Sequence, residues 1–246
     1  MYGDFALVYD RLMADVDYDA WALHYQALLA QRGVPRGAVV LEAACGTGNL
    51  SLRLARTYQL LPSDLSDAML SIAAGKARAA GQRLVFIRQD MQSLRAHRPV
   101  DALVCGCDGV NYLLTPAALS RFLRSAHAAL KPGGALAFDV SSPDKLRRVL
   151  GGNTQVLRGE GICYIWENAW DEARQQLQLS LSIFDRQPGG QYLRIEEEQL
   201  QRAWTRQELE DAMRAAGFAD VRCFGNFSMD PPDKQAQRLH FTAIKA

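Results

Sequence analysis

The chain has 246 residues, enough for one large domain or one domain carrying an insertion. Its 48% hydrophobic and 22% charged content is that of an ordinary globular protein, and 28 basic against 27 acidic residues leave a net charge of +1, which lends no support to a duplex nucleic-acid partner. No apolar run reaches the ~18–20 residues of a membrane span, MYGDFALVYD lacks the layout of a secretory signal, and five cysteines, an odd number, do not suit a disulfide framework.

These exclusions point to the cytoplasm, with no membrane partner. Cys105-Gly-Cys107 has the wrong spacing for a zinc knuckle and no second pair accompanies it, so no metal is expected. The cysteines read as small buried hydrophobes.

In chain order, the opening segment mixes aromatics with acids, and residues 1–34 are expected to form a helical cap. A helix runs from about Asp17 to Gln31, with Trp21, Tyr25, Leu28 and Leu29 near one face and Gly33 and Pro35 ending it. Alternating strands and helices follow. Ala38–Glu42 is a buried strand, 49–56 a helix, Tyr58–Leu61 a strand closed by Pro62, and Ser66–Ala80 a helix. Arg83–Ile87 and Asp101–Cys105 are the third and fourth strands. Helix Pro116–Leu130 ends at Lys-Pro-Gly-Gly, and Ala135–Val140 is the fifth strand. This alternation predicts an α/β fold, a doubly wound, mostly parallel sheet within a single domain over 1–246.

Within 151–204 the period changes to two. Ile162–Asp171, Gln176–Arg186 and Tyr192–Trp204 predict an antiparallel β insertion, either a roof over a substrate pocket or a contact in a homodimer. Glu196-Glu197-Glu198 reads as a solvated edge. Thr205 and Glu208 form a capping box before helix 206–216, and strands near Val221–Phe227 and Arg238–Ile244 close the chain.

Three strand–helix junctions carry the chemistry. In Val39-Val40-Leu41-Glu42-Ala43-Ala44-Cys45-Gly46-Thr47-Gly48 a strand ends in an acid and turns through glycines that let a ligand approach the backbone. Glu42 could bind an ammonium or fix the N–H groups of the turn. Asp64 ends the second strand 16 residues after Gly48, where an acid of a doubly wound sheet accepts from ribose hydroxyls. Gln89-Asp90-Met91 follows the third strand; Asp90 could accept from an adenine amino group, with Met91 packed on the ring, or could simply cap a turn.

Taken together, E-x-x-C-G-T-G, S-D-L-S-x-x-M-L, Q-D-M and K-P-G-G resemble the class I S-adenosylmethionine-dependent methyltransferases. The opening F-A-x-V-Y-D-R-L-M and N-Y-L-L at 111–114 are similar to bacterial methyltransferases of the YqeM type. The resemblance spans nearly the whole chain, weakest in the insertion, and Pro62-Ser63 departs from the usual glycine and aliphatic residue.

The resemblance implies a seven-stranded Rossmann-like sheet with a reversed C-terminal hairpin, and S-adenosylmethionine as the cofactor. It implies that Glu42, Ala43, Cys45, Gly46 and Gly48 hold the methionine portion. Asp64 would take the ribose, and Leu65, Met69, Asp90 and Met91 the adenine. Cys107 would line the transfer site and Tyr9 would close over the amino-acid end.

Asp108 and Tyr112, just past the fourth strand, are the candidate catalytic residues. His24, His127 and His240 read as structural or solvated. Tyr2, Tyr9, Tyr18 and Trp21 could form an aromatic lid. The expected activity is methyl transfer to a small-molecule acceptor. Residues 107–110 lack the Pro-Pro-aromatic signature of enzymes that methylate exocyclic base amines, which lowers the case for nucleic acid. Two other readings are a non-catalytic or RNA-associated S-adenosylmethionine-binding factor and a nicotinamide-dependent oxidoreductase. The last needs a third glycine where Ser51 stands.

Overall fold

A computed structural model of the chain describes residues 3–246. It opens with α1 (Gly3–Leu12) and α2 (Tyr18–Gln31). Asp17 caps α2 by accepting from the N–H groups of Asp19 and Ala20 at 3.1 and 2.9 Å. The expected apolar face of α2, including Trp21, Tyr25, Leu28 and Leu29, is buried.

Alternation then proceeds through β1 (Val39–Glu42), α3 (Asn49–Leu54), β2 (Gln59–Asp64), α4 (Asp67–Ala79), β3 (Ile87–Arg88), β4 (Val100–Cys105), α5 (Pro116–Ala129) and β5 (Leu130–Ser141). A four-stranded antiparallel sheet follows, built from β6 (Thr154–Arg158), β7 (Ile162–Asp171), β8 (Gln176–Arg186) and β9 (Tyr192–Arg202). The chain ends in α6 (Arg206–Ala215), β10 (Phe218–Gly225) and β11 (Arg238–Lys245).

The main sheet has the order β10-β11-β5-β4-β1-β2-β3, parallel except for β11, which runs antiparallel to both neighbours. This is the seven-stranded methyltransferase arrangement with its reversed hairpin. Both faces of the sheet are packed with buried side chains, and Phe138 of β5 stacks on Phe241 of β11 with centroids 5.2 Å apart. A third apolar cluster joins Phe5 and Val8 of α1 to Leu177 and Ile183 of β8. Among the described residues no helix is long and apolar enough to cross a membrane.

Several boundaries differ from those read in the sequence. The third strand shrinks from 83–87 to Ile87–Arg88, because β3 is an edge strand and pairs only with Ser63 and Asp64. The second strand runs through Pro62 instead of stopping there. The N–H of Gln59 points to β1, donating to Ala38, so that of position 62 would point the other way. On that side β3 begins only opposite Ser63, and proline leaves no ladder bond unmade. The fifth strand begins at Leu130, directly from α5, with a register shift before Ala135. β6 was not evident, since all five of its residues are exposed and lack an alternating pattern. The capping box of Thr205 and Glu208 is present as read.

Candidate active site

The carboxyl ends of β1, β2 and β4 open into a cavity of about 1320 Å³, with α1 and the antiparallel sheet on its other sides. Single-ligand sites usually span about 300–1,000 Å³, so there is room for more than one small molecule. Tyr9, Glu42, Cys45, Gly46, Asp64, Leu65, Met69, Asp90, Met91 and Cys107 all line it, as do Asp108 and Tyr112. Ala43 and Gly48 do not. Ala43 is fully buried and donates its N–H to Val104, while a Cβ at Gly48 would meet Ala73 at 3.0 Å and the Phe86 ring at 3.2 Å. Both stand behind the wall, shaping it. Tyr2 lies outside the described residues; Tyr18 and Trp21 line the cavity.

The turn after β1 is fastened from the side. Asp64 accepts from the N–H of Gly46 at 2.8 Å with one oxygen and from that of Ser66 at 2.9 Å with the other. Burial raises its pKa against these hydrogen bonds. Gly46 has φ +55°, and a Cβ there would have nothing within 4 Å. That empty cradle is the space a ligand could occupy.

Glu42 does not fix the turn. It is 2% exposed, its Oε2 has no hydrogen-bond partner, and burial pushes its pKa up to about 8. A buried carboxyl oxygen without a donor is uncommon and marks a place for one. Asp90 caps the short turn Met91–Ser93 through the N–H of Gln92 at 2.8 Å, leaving its other oxygen only a long contact of 3.4 Å with the Gln92 amide. Leu65, 55% exposed, presents an apolar face to the cavity.

Helix α1 is tied down at two points. Asp10 accepts from Thr47 at 2.7 Å, from Asn49 at 2.8 Å and from Lys76 of α4 at 2.7 Å, and Lys76 also donates to Asn49. Arg11 pairs with Asp185 of β8 at 2.6 Å. Burial holds the Tyr9 hydroxyl well above its ordinary pKa, and the neighbouring Tyr18 adds to this.

Asp108, in the left-handed region at φ +56°, is fully engaged. Its oxygens accept from Arg238 at 2.8 Å and from Gln201 at 3.1 Å. Arg238 also donates to Asp139 of β5, which accepts from the Tyr25 hydroxyl at 2.6 Å and the Asp108 N–H at 3.0 Å. Trp21 lies under the Arg238 guanidinium, 4.8 Å from its centroid. Burial alone would raise the Asp108 pKa, but Arg238, Lys145 and the hydrogen bonds from Arg238 and Gln201 outweigh it and hold it low.

Tyr112 donates to Gln199 of β9 at 2.7 Å. Beside it, fully buried Asn111 accepts from Ser141 N–H and donates to the carbonyls of Ser141 and Arg202. The Asn-Tyr pair thus stitches the turn after β4 to β5 and β9. His24 and His240 pack on each other with ring centroids 4.3 Å apart, His127 packs on Phe218 at 5.2 Å, and none lines the cavity.

Tyr164, Trp166, Leu179, Leu181 and Gln199 place the antiparallel sheet against the cavity. Glu196 and Glu198 are exposed as read, but Glu197 is buried. Sequence reasoning missed Arg238, Asp139, Tyr25, Lys145 and Gln201. The available signal was Asp139, an acid inside the apolar strand Ala-Phe-Asp-Val, which needs a buried partner.

The same chain matches known proteins along its length. The Methyltransferase domain family covers residues 40–134. The chain is 34% identical to YqeM of Bacillus subtilis (strain 168), over 100% of this chain and 98% of that one. It belongs to the YqeM-type methyltransferase family. A solved S-adenosylmethionine-dependent methyltransferase from Clostridium acetobutylicum ATCC 824 is 29% identical, with a TM-score of 0.89 over 99% of this chain and 98% of the other. The sugar N-methyltransferase KedS8 from Streptoalloteichus sp ATCC 53650 shares the fold at 22% identity, with a TM-score of 0.78 over 97% of this chain and 92% of that one. This YqeM-type chain is therefore an S-adenosylmethionine-dependent methyltransferase.

Proposed function

We propose that the chain methylates a small-molecule acceptor, bound between the strand ends and the antiparallel roof, and that the three junctions hold the cofactor. The observation that carries this is the unpartnered Glu42 oxygen beside the open Gly46 cradle, at one end of a cavity too large for the cofactor alone. In this reading Glu42 takes the cofactor's ammonium and the Gly46 turn, with Cys45, takes its methionine portion. The Asp64 carboxylate, which lines the cavity, receives the ribose hydroxyls. Leu65, Met69 and Met91 flank the adenine, and Asp90 accepts from its amino group. Tyr9 covers the amino-acid end, while Cys107 lines the transfer site.

When bound, S-adenosylmethionine supplies an electrophilic methyl on a sulfonium, a good neutral leaving group. The chain's own work is alignment and exclusion of water. Asp108 and Tyr112 are held by Arg238, Gln201 and Gln199, so they position the rim near Cys107 instead of taking a proton. An acceptor that arrives with a free lone pair, such as an unprotonated amine, needs no base. The near-zero net charge supports a small acceptor over nucleic acid, and the fold shared with a sugar N-methyltransferase agrees.

The test is incubation with methyl-labelled S-adenosylmethionine and a fractionated bacterial extract. Label is expected in a low-mass product. Label that appears only in the RNA or protein fraction overturns the small-molecule reading.

A further inference from the structure

The cavity is also lined by a cation without a hydrogen-bond partner. Lys145 opens the short helical turn 145–150 after β5 and lines the cavity. Among the described residues its ammonium makes no hydrogen bond and no ion pair. The nearby carboxylates are taken: Asp108 by Arg238 and Gln201, Asp139 by Arg238, Tyr25 and the Asp108 N–H. Burial lowers the Lys145 pKa, Arg238 lowers it further, and the two carboxylates oppose them. Asp108 and Asp139 thus act on Lys145 only through space, and its three N–H donors stay free for a ligand.

A second donor that lines the cavity is also idle. The indole N–H of Trp166 on β7 is buried and unpartnered, and Trp166 lines the cavity. The turn that carries Lys145 packs against both β7 and β8. Glu198, the carboxylate of the roof that lines the cavity, is exposed to solvent. An ammonium and a buried indole N–H that both line the cavity and both lack a hydrogen-bond partner can together receive an oxyanion.

We propose that Lys145 selects acceptors carrying an anionic group, a carboxylate or a phosphate, with Trp166 donating the second hydrogen bond. This rests on the roofed half being the acceptor's end of the cavity. It assigns Lys145 a specificity role that the three cofactor junctions do not include.

The test is calorimetric titration of the protein, saturated with S-adenosylhomocysteine, by four probes of one shape: benzoate, phenyl phosphate, benzyl alcohol and benzylamine. At least one of the two anions is expected to bind tenfold or more tighter than benzyl alcohol and benzylamine. The better anion identifies carboxylate or phosphate as the group read. Lys145→Met should abolish that preference and leave benzyl alcohol unchanged, Lys145→Arg should retain it, and Trp166→Phe should lower it a few-fold. Equal binding of all four probes, or a preference that survives in Lys145→Met, overturns the assignment. So does a Lys145→Met protein that binds S-adenosylhomocysteine at least tenfold more weakly while binding 5′-methylthioadenosine normally, because Lys145 would then serve the cofactor's own carboxylate. A wild type that fails to bind S-adenosylhomocysteine overturns the cofactor reading itself. Binding of that molecule without anion preference overturns only the role of Lys145.

Discussion

Asp10 and Lys76, 66 positions apart, meet at 2.7 Å, so that the first helix, which lines the cavity through Tyr9, is latched onto α4. The same Asp10 carboxylate takes Thr47 and Asn49, both just past the Gly46 turn. The pair is partly solvated, with side chains 36% and 26% exposed, and contributes modestly to stability. Asp10→Ala is therefore expected to cost only about 1 kcal/mol of unfolding free energy. Its larger effect should be kinetic. With α1 released, S-adenosylhomocysteine should dissociate about five- to tenfold faster, as stopped-flow displacement would measure, since each 1.4 kcal/mol is tenfold. An unchanged dissociation rate would mean that α1 does not gate the cavity.

Glu42 should make cofactor binding release a proton. Its folded pKa is about 8, raised by burial, so at pH 7 the free protein holds it mostly neutral. Pairing with an ammonium favours the charged form and draws the pKa down. Binding at pH 7 should then release close to one proton, and near pH 9, where Glu42 is already ionised, almost none. Calorimetry in buffers of differing ionisation enthalpy reads this directly. Glu42→Gln should remove the release. Proton-neutral binding by the wild type at pH 7 would take Glu42 away from the ammonium.

The two glycines of the turn should fail in different ways. Gly46→Ala puts a methyl into open cavity at φ +55°, where the strain costs on the order of 1 kcal/mol and the ligand's space is lost. It should fold and bind S-adenosylhomocysteine at least tenfold more weakly. Gly48→Ala drives a methyl into Ala73 and Phe86 at φ +76°, so it should lower stability by about 1–3 kcal/mol. Asp64→Ala removes two turn hydrogen bonds as well as the ribose partner, and should weaken binding by more than tenfold. Thermal melts alongside calorimetry separate the two kinds of defect.

The features read from sequence were the periodic or glycine-marked ones. The parallel alternation, the Thr205–Glu208 box and the acids ending β1 and β2 announce themselves through local spacing, and Glu42 and Asp64 do face one cavity. What was illegible depends on distant partners. Arg238 meets Asp108 across 130 positions, and nothing local in Leu-His-Phe or Cys-Asp-Gly signals the pairing. β6 is held by pairing to β7 alone and carries no buried face to give it a period. Asp108 looked like a base because it follows β4, but its availability is set by Arg238 and Gln201, which the sequence places far away.

That pairing makes a final, pH-dependent prediction. Arg238 bridges Asp108 and Asp139, all three being largely buried, and Arg238→Met would leave two carboxylates without their cation. Breaking such a pair from one side costs about 3–5 kcal/mol. The folded-state pKa of Asp108 lies below its ordinary value, near 3.9 in an unfolded chain. A depressed carboxyl contributes stability that is fully present above the unfolded pKa and is lost as the pH falls through the folded one. Asp108 should therefore draw stability from the wild type as the pH drops below about 4, against Asp139, whose pKa burial raises and which acts in the opposite direction. In Asp108→Asn that acid limb should flatten, with a lower stability at neutral pH because an amide pairs less strongly with the guanidinium. Chemical denaturation at pH 7, 5, 4 and 3 measures both slopes. Parallel curves for wild type and Asp108→Asn would show that the Arg238–Asp108 bond carries no net ionic stabilisation.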